Sequence, residues 1–75
     1  MKTIEIDARG LLCPLPVLKL AKRIKSLDPG DEVRLLADDP AAVVDVPHYA
    51  GETGHTLVST EDGTDHQIYV LRKSV

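Results

Sequence analysis

The most informative segment of the 75-residue chain reads Arg9-Gly10-Leu11-Leu12-Cys13-Pro14-Leu15-Pro16-Val17. It contains the only cysteine of the sequence, followed by two prolines at alternate positions. Proline is tolerated in the first turn of a helix, because the N–H group that it lacks would have no intrahelical partner there. We therefore predict that a helix begins at Pro14 or Pro16 and that Cys13 lies at or just before its N-terminus.

A cysteine in that position is predicted to be a reactive thiol. Unpaired N–H groups and the positive end of the helix dipole favour an anion at a helix N-terminus. Cysteines placed there have a lowered pKa and a correspondingly reactive sulfur. A lone cysteine is otherwise most often a small apolar residue of the core. The flanking prolines and the local charge pattern favour the reactive thiol over the buried one.

The charge pattern around Cys13 is basic, although the whole chain has a formal net charge of −3. Between Ala8 and Leu27 there are five basic residues, and all twelve acidic residues lie outside that window. Two interpretations stay open: a solvated helix face, or a positive field that favours the thiolate and attracts an anionic partner. Direct nucleic-acid binding is disfavoured, because domains with that function are usually basic overall. The five basic residues are Arg9, Lys19, Lys22, Arg23 and Lys25.

Hydrophobic periodicity predicts four strands. Alternation of apolar and polar residues is typical of a strand with one buried face. The segments that alternate are residues 2–7, 32–37, 56–61 and 66–72. Asp62-Gly63 lies between the last two and predicts a tight hairpin. Gly10 breaks the first strand and is expected to adopt a turn conformation that other residues avoid.

Two helices are predicted between the strands. An i, i+3, i+4, i+7 apolar stripe indicates a helix from Pro14 to Leu27, which Pro29-Gly30 ends. The second helix is expected only over Asp45–Thr53, after a short turn at residues 40–44, because Pro47 disfavours a continuous helix. The resulting order, β-α-β-α-β-β, predicts an α+β fold, a two-layer sandwich with both helices on one face of a four-stranded mixed sheet.

Composition limits the environment and the chemistry. Because the chain has no Phe and no Trp, its core is expected to be aliphatic. A single cysteine cannot form an internal disulfide, which favours a reducing, cytoplasmic setting. No signal peptide and no membrane-spanning apolar run is visible, so no membrane association is expected. A metal site is disfavoured, because Cys13 and the histidines at 48, 55 and 66 lack the close spacing of known sites.

The segment from Asp7 to Pro16 resembles the signature of the TusA/SirA/YedF family of small sulfur-carrier proteins. That family has a D-x-x-G-x-x-C-P-x-P block after its first strand, and here the C-P-x-P motif is Cys13-Pro14-Leu15-Pro16. The resemblance runs nearly from end to end and indicates one domain, residues 1–75. The other matching positions are Pro29-Gly30, Asp38-Asp39-Pro40, Gly54-His55 and Ile68-Tyr69.

The resemblance implies a sulfurtransferase that works as a carrier in a relay, without a cofactor. Cys13 would receive sulfur as a persulfide from a cysteine desulfurase or a rhodanese-type donor. It would pass that sulfur to an acceptor protein in tRNA thiolation, molybdenum-cofactor assembly or sulfur oxidation. Thiolate attack on sulfur is the elementary step of thiol–disulfide exchange, so little other catalytic apparatus is required. The protein is expected to be a monomer.

Several residues around Cys13 are assigned supporting roles. Pro14 and Pro16 would hold the cysteine in a stiff segment. Asp7 is expected to cap the turn around Gly10, since Asp side chains favour such local bonds. By resemblance, Arg9 is expected to help stabilise the persulfide anion. The basic residues of the first helix are predicted to dock the partner, and these are Lys19, Lys22 and Arg23.

The chain departs from the family pattern in its second helix, and an alternative function stays open. Many relatives have an aromatic-cysteine pair in the second helix, whereas this chain has Tyr49-Ala50 there. The missing cysteine puts in doubt any activity that needs a second thiol. The alternative function is a non-catalytic interaction or regulatory module that docks through the basic first helix.

Overall fold

The chain folds into a four-stranded sheet covered on one face by two helices. The computed structural model describes residues 2–75. Its elements follow the predicted order β-α-β-α-β-β. The strands are β1 (Thr3–Asp7), β2 (Glu32–Ala37), β3 (Thr56–Asp62) and β4 (Gln67–Arg72), and the helices are α1 (Leu15–Ile24) and α2 (Ala42–Thr53). The predicted fold class is confirmed.

The sheet is mixed, with the strand order β1-β2-β4-β3. β1 and β2 are parallel neighbours, whereas β4 pairs antiparallel with both β2 and β3. A parallel pair needs a crossover connection, and α1 supplies it between β1 and β2. Because β1 and β2 run in the same direction, the loops that follow them lie at the same end of the sheet. Those two loops build the functional site described below.

The core lies between the helices and the inner face of the sheet. The apolar stripe predicted for α1 is confirmed, since Leu20 and Ile24 are buried. From α2, Val46 and Ala50 are buried, and the partly buried Tyr49 packs against the same core. The largest wholly buried side chains are Tyr69, Ile6, Leu20, Leu35, Leu71, Val33 and Val46.

The prediction for the start of α2 is wrong. The helix begins at Ala42 and contains Pro47 in its interior, instead of starting at Asp45 after a separate turn. Proline removes one helical hydrogen bond and crowds the preceding turn. The burial of Ala42 and Val46 against the core offsets that loss, and Pro47 itself lies on the exposed side of the helix. Asp45 consequently lies within the first turn of α2 and does not cap it.

Two other boundaries differ from the prediction. The hairpin is wider than a two-residue turn at Asp62-Gly63, because Asp62 still pairs with Gln67. The connecting residues are 63–66, and the N–H of Gly63 donates to the carbonyl of His66 at 2.7 Å. α1 ends at Ile24. A tighter turn follows it, in which the N–H of Leu27 donates to the carbonyl of Ile24.

Gly10 has a φ of +81°, as its place in the turn after β1 predicts. We expect Gly10→Ala to destabilise the fold by about 1–2 kcal/mol, because left-handed backbone is unfavourable for a residue with a Cβ. Steric clash does not contribute, since an added Cβ would meet no atom within 4 Å. Urea unfolding measures the change.

Gly51→Ala is the matched control. Gly51 lies inside α2, its Cβ would also meet no atom within 4 Å, and its φ is not positive. Alanine is the better helix former, so this variant is expected to gain about 0.5–1 kcal/mol. Equal effects of the two substitutions would contradict the conformational explanation.

Candidate functional site

Cys13 lies in the loop between β1 and α1, and it is exposed. The helix begins at Leu15 with Pro14 as its N-cap residue, so the cysteine precedes the N-terminus directly, as predicted. The Cys13–Pro14 peptide bond is cis. Few N–H groups are free to face the sulfur, because Leu15 donates to the carbonyl of Leu12 at 2.9 Å and Pro16 has no N–H.

The loop that carries Cys13 is fastened to the loop after β2. The N–H of Cys13 donates to one carboxylate oxygen of Asp39 at 2.5 Å, and the N–H of Ala41 donates to the other at 3.1 Å. The N–H of Gly10 donates to the carboxylate of Asp38 at 3.0 Å. Asp39 is only 9% exposed, so its bonds are shielded from water. These two carboxylates set the position of the thiol relative to the sheet.

In the sequence, Asp38-Asp39-Pro40 was noted as a match to the family, and this connection was not predicted. Cys13 and Asp39 lie 26 positions apart along the chain. The parallel pairing of β1 with β2 could have revealed this connection, because it brings the C-terminal ends of both strands to the same end of the sheet.

The thiol of Cys13 donates a hydrogen bond to the carboxylate of Asp45 at 2.8 Å. This bond, together with desolvation and the charges of Asp45 and Asp39, raises the pKa of Cys13 above its ordinary value. The prediction of a lowered pKa is therefore wrong. The physical reason is that α2 begins earlier than expected and places its first turn, with Asp45, beside the sulfur.

Within residues 2–75, the charged groups that shift the pKa of Cys13 are the carboxylates of Asp45 and Asp39, so the basic residues of the segment do not lower this pKa. The guanidinium of Arg9 pairs with Asp7 through two bonds of 2.9 Å. These contacts hold the pKa of the Asp7 carboxyl well below its usual range. Lys19 donates to the carbonyl of Asp7 at 2.8 Å, while Lys22 and Arg23 are exposed in the last turn of α1.

Asp7 makes the kind of local bond expected of it. Its carboxylate accepts the N–H of Arg9 at 3.0 Å and so closes the turn that leads to Gly10. The N–H of Gly10 itself is taken by Asp38 and not by Asp7. The structure thus gives Asp7 a role in shaping the turn.

An open cleft of about 250 Å³ lies beside Cys13, between the two helices. One wall comes from the start of α1 and the other from successive turns of α2. Nε2 of His48 contacts the carboxylate of Glu52, one turn further along α2. The lining residues are Cys13, Pro14, Val17, Asp45, His48, Tyr49 and Glu52.

Several exposed aliphatic side chains lie next or close in sequence to the residues that line the cleft, and we call them the apolar rim. Leu12 and Val44, for example, are each 70% exposed, and they directly precede Cys13 and Asp45. Exposed apolar patches on a small protein commonly mark contact sites for other proteins. Sequence reasoning chose basic residues for docking and missed these; the available signal was that Leu15 and Leu18 lie off the core stripe. The rim consists of Leu12, Leu15, Leu18, Val43 and Val44.

The histidines considered for a metal site lie apart from one another. His66 is bonded to Asp65, and His55 accepts the N–H of Ser74. Across the part of the chain that the structure describes, no three His, Cys, Asp or Glu side chains are grouped as metal ligands. In that same part, no helix has the length and apolarity needed to cross a membrane.

The α+β sandwich with an exposed thiol just before its first helix agrees with the class of small sulfur-carrier domains that the sequence resembles. Residues 4–73 match the family described as Sulfurtransferase TusA, and the chain belongs to this family of sulfur carriers.

Two relatives are similar to the chain over almost its whole length. Putative sulfur carrier protein YrkF of Bacillus subtilis (strain 168) is 38% identical over 71 residues, which cover 95% of this chain. The chain spans only 38% of the length of that relative. A SirA-like protein from Desulfitobacterium hafniense has a crystal structure that superposes with a TM-score of 0.82 at 25% identity. That comparison covers 96% of this chain and 99% of the other.

Proposed function

We propose that the chain receives sulfur as a persulfide on Cys13 and hands it to an acceptor protein. The observation that carries this proposal is the exposure of the one thiol of the sequence at the mouth of an open cleft. A sulfur atom held there can be reached by one partner for loading and by another for unloading.

The transfer step follows the chemistry of thiol–disulfide exchange. The Cys13 thiolate attacks the outer sulfur of the donor's persulfide, so a new S–S bond forms on Cys13 while the donor's S–S bond breaks. The donor leaves as a thiolate and takes up the proton that Cys13 released. The outer sulfur atom moves from the donor to Cys13, and no external oxidant or reductant is consumed. Delivery repeats the same step with an acceptor thiol as the nucleophile.

The absence of a second cysteine from the sequence supports a relay in place of an internal redox cycle. A persulfide on Cys13 has no neighbouring thiol in this chain to release its sulfur prematurely. The acceptor must therefore provide the thiol that completes the transfer. Pro14 and Pro16 support this role, because their restricted backbone limits the directions in which Cys13 can point.

The partners proposed are a cysteine desulfurase or rhodanese-type donor and a sulfur-acceptor protein. The relay would serve tRNA thiolation, molybdenum-cofactor assembly or sulfur oxidation, in the reducing cytoplasm, with the domain of residues 1–75 acting as a monomer. Lys19, Lys22 and Arg23 remain the proposed charged docking residues, and Arg9 remains proposed to stabilise the bound persulfide. The apolar rim adds a contact surface next to the sulfur.

Intact-protein mass spectrometry tests the proposal. The chain is incubated with a cysteine desulfurase and cysteine, and we expect its mass to increase by one sulfur atom. The addition should disappear with reductant and should map to the peptide that contains Cys13. Protein alkylated beforehand with iodoacetamide is the control and should gain nothing. If no sulfur is added under conditions that load a known carrier, the proposal is wrong.

A further inference from the structure

The carboxylate of Asp45 is the closest charged group to the thiol, and sulfur transfer does not need it. It lies 2.8 Å from the sulfur of Cys13 and accepts the thiol proton as a hydrogen bond. Its backbone is fixed in the first turn of α2, where the N–H of Asp45 donates to the carbonyl of Ala41 at 2.9 Å. An anion in that place opposes formation of the thiolate, which is the form that attacks sulfur.

We propose that Asp45 holds Cys13 in its protonated, unreactive state until a cationic side chain of a sulfur-bearing partner binds the Asp45 carboxylate. This inference rests on the proposed function, and it adds the chemistry by which a partner is recognised. A sulfur compound without a positive charge beside its sulfur would meet a thiol that is mostly protonated. A lysine or arginine in that position would remove the obstacle.

Of the charged groups around the thiol, Asp45 is the one whose charge a partner can neutralise. Asp39, in the loop before α2, already accepts two backbone N–H groups. On α2, the carboxylate of Glu52 already contacts Nε2 of His48, and the cleft also contains the phenol of Tyr49. From the side of α1, the lining residues are Pro14 and Val17, which do not ionise. Among residues 2–75, no basic side chain forms an ion pair with Asp45; its bonded partner is the thiol.

The release step balances without any further reactant. In the resting protein the Cys13 S–H bond is intact and its proton points to Asp45. When a partner's cation pairs with that carboxylate, the thiol proton passes to solvent and leaves an electron pair on sulfur. The thiolate then attacks the partner's outer sulfur as described above. The carboxylate of Asp45 repels the Cys13 thiolate, whereas the partner's cation attracts it. At contact distance, this difference in Coulomb energy alters the rate of thiolate attack about tenfold, even near a solvent-exposed surface.

Charged disulfide probes test this proposal without any sulfur-loading enzyme. Cystamine carries two positive charges and dithiodiglycolate carries two negative charges, and each forms a mixed disulfide that intact mass measures. We expect a cystamine preference of about tenfold in the natural chain, defined as its cystamine-to-dithiodiglycolate rate ratio divided by the same ratio for 2-mercaptoethanol, which corrects for the different leaving thiols. Asp45→Asn should lose most of that preference, and Asp45→Glu should retain it. Glu52→Gln, which removes another carboxylate from the same cleft, is the matched control and should also retain it.

The pH dependence of alkylation by uncharged iodoacetamide gives a second readout. Because Asp45 raises the pKa of Cys13, its removal should shift the rate profile to lower pH and speed alkylation at neutral pH. The gain should be severalfold, since a thiolate of lower pKa is also a weaker nucleophile. Circular dichroism checks that each variant is folded.

An unchanged pH profile in Asp45→Asn, or a cystamine preference that survives in that variant, would overturn the inference. Both readouts are independent of persulfide formation. A chain that shows the charge preference but never gains sulfur would therefore refute the proposed function and leave the role of Asp45 standing.

Discussion

Replacing Cys13 with Ser is expected to abolish sulfur loading completely and to leave the fold unchanged. A serine hydroxyl does not ionise near neutral pH and forms no bond equivalent to a persulfide, so no residual transfer is expected. Because the side chain at position 13 is exposed, the substitution removes little buried contact. The measurements are intact mass after incubation with a cysteine desulfurase and cysteine, and urea unfolding of the same sample.

The same variant separates the carrier from the docking alternative. A non-catalytic module that binds through Lys19, Lys22 and Arg23 would keep its function in the Cys13→Ser variant. A carrier would lose its function but keep its affinity for the donor. Reversal of the charges at Lys22 and Arg23 provides the complementary variant, because it should weaken docking and leave the reaction of Cys13 with iodoacetamide unaffected. Full cellular function of Cys13→Ser would rule out the carrier.

The second large effect is expected for Leu20→Ala. Leu20 is wholly buried, at 0% exposure, and lies at the centre of the stripe by which α1 packs on the sheet. Truncating a buried leucine loses its transfer free energy and leaves a cavity, which together cost about 3–5 kcal/mol. A chain of 75 residues has a total stability of about 4–11 kcal/mol. The variant should therefore lose a large fraction of its stability, and at the lower end of that range it would be largely unfolded at 37 °C.

Leu18→Ala is the control for that experiment, because it makes the same chemical change in the same helix. Leu18 is 56% exposed and belongs to the apolar rim. We expect a loss of less than about 1 kcal/mol, together with weaker binding to the sulfur donor. The urea midpoints of the two variants give the comparison. If both variants unfolded at the same midpoint, the assignment of the core face of α1 would be wrong.

Local sequence patterns were sufficient for most of the fold. The strand Glu32–Ala37 has the boundaries that its alternation predicts, and the stripe containing Leu20 and Ile24 faces the core. Such patterns work because each element buries one side, and its period shows which side that is. Pro47 was misleading, because its effect on the backbone is local whereas the burial of Ala42 and Val46 that offsets it is tertiary.

The charged groups that surround Cys13 could not be predicted from local sequence patterns. The basic residues near Cys13 in sequence indicated a lowered pKa, but Asp45 lies 32 positions away along the chain and is its hydrogen-bonding partner in space. An ionisable side chain responds to the groups within a few ångströms, whatever their distance in sequence. The position of Cys13 was therefore predictable from the prolines, and its protonation was not.

The hydrogen bonds that join the loop after β1 to the loop after β2 affect how members of this family can diverge. The groups that hold the cysteine backbone and its sulfur, Asp39 and Asp45, are encoded 26 and 32 positions downstream of the cysteine. Substitutions or insertions between them would reorient the sulfur while the motif at residues 13–16 stays intact. Two chains with the same C-P-x-P motif can thus hold the cysteine sulfur in different orientations.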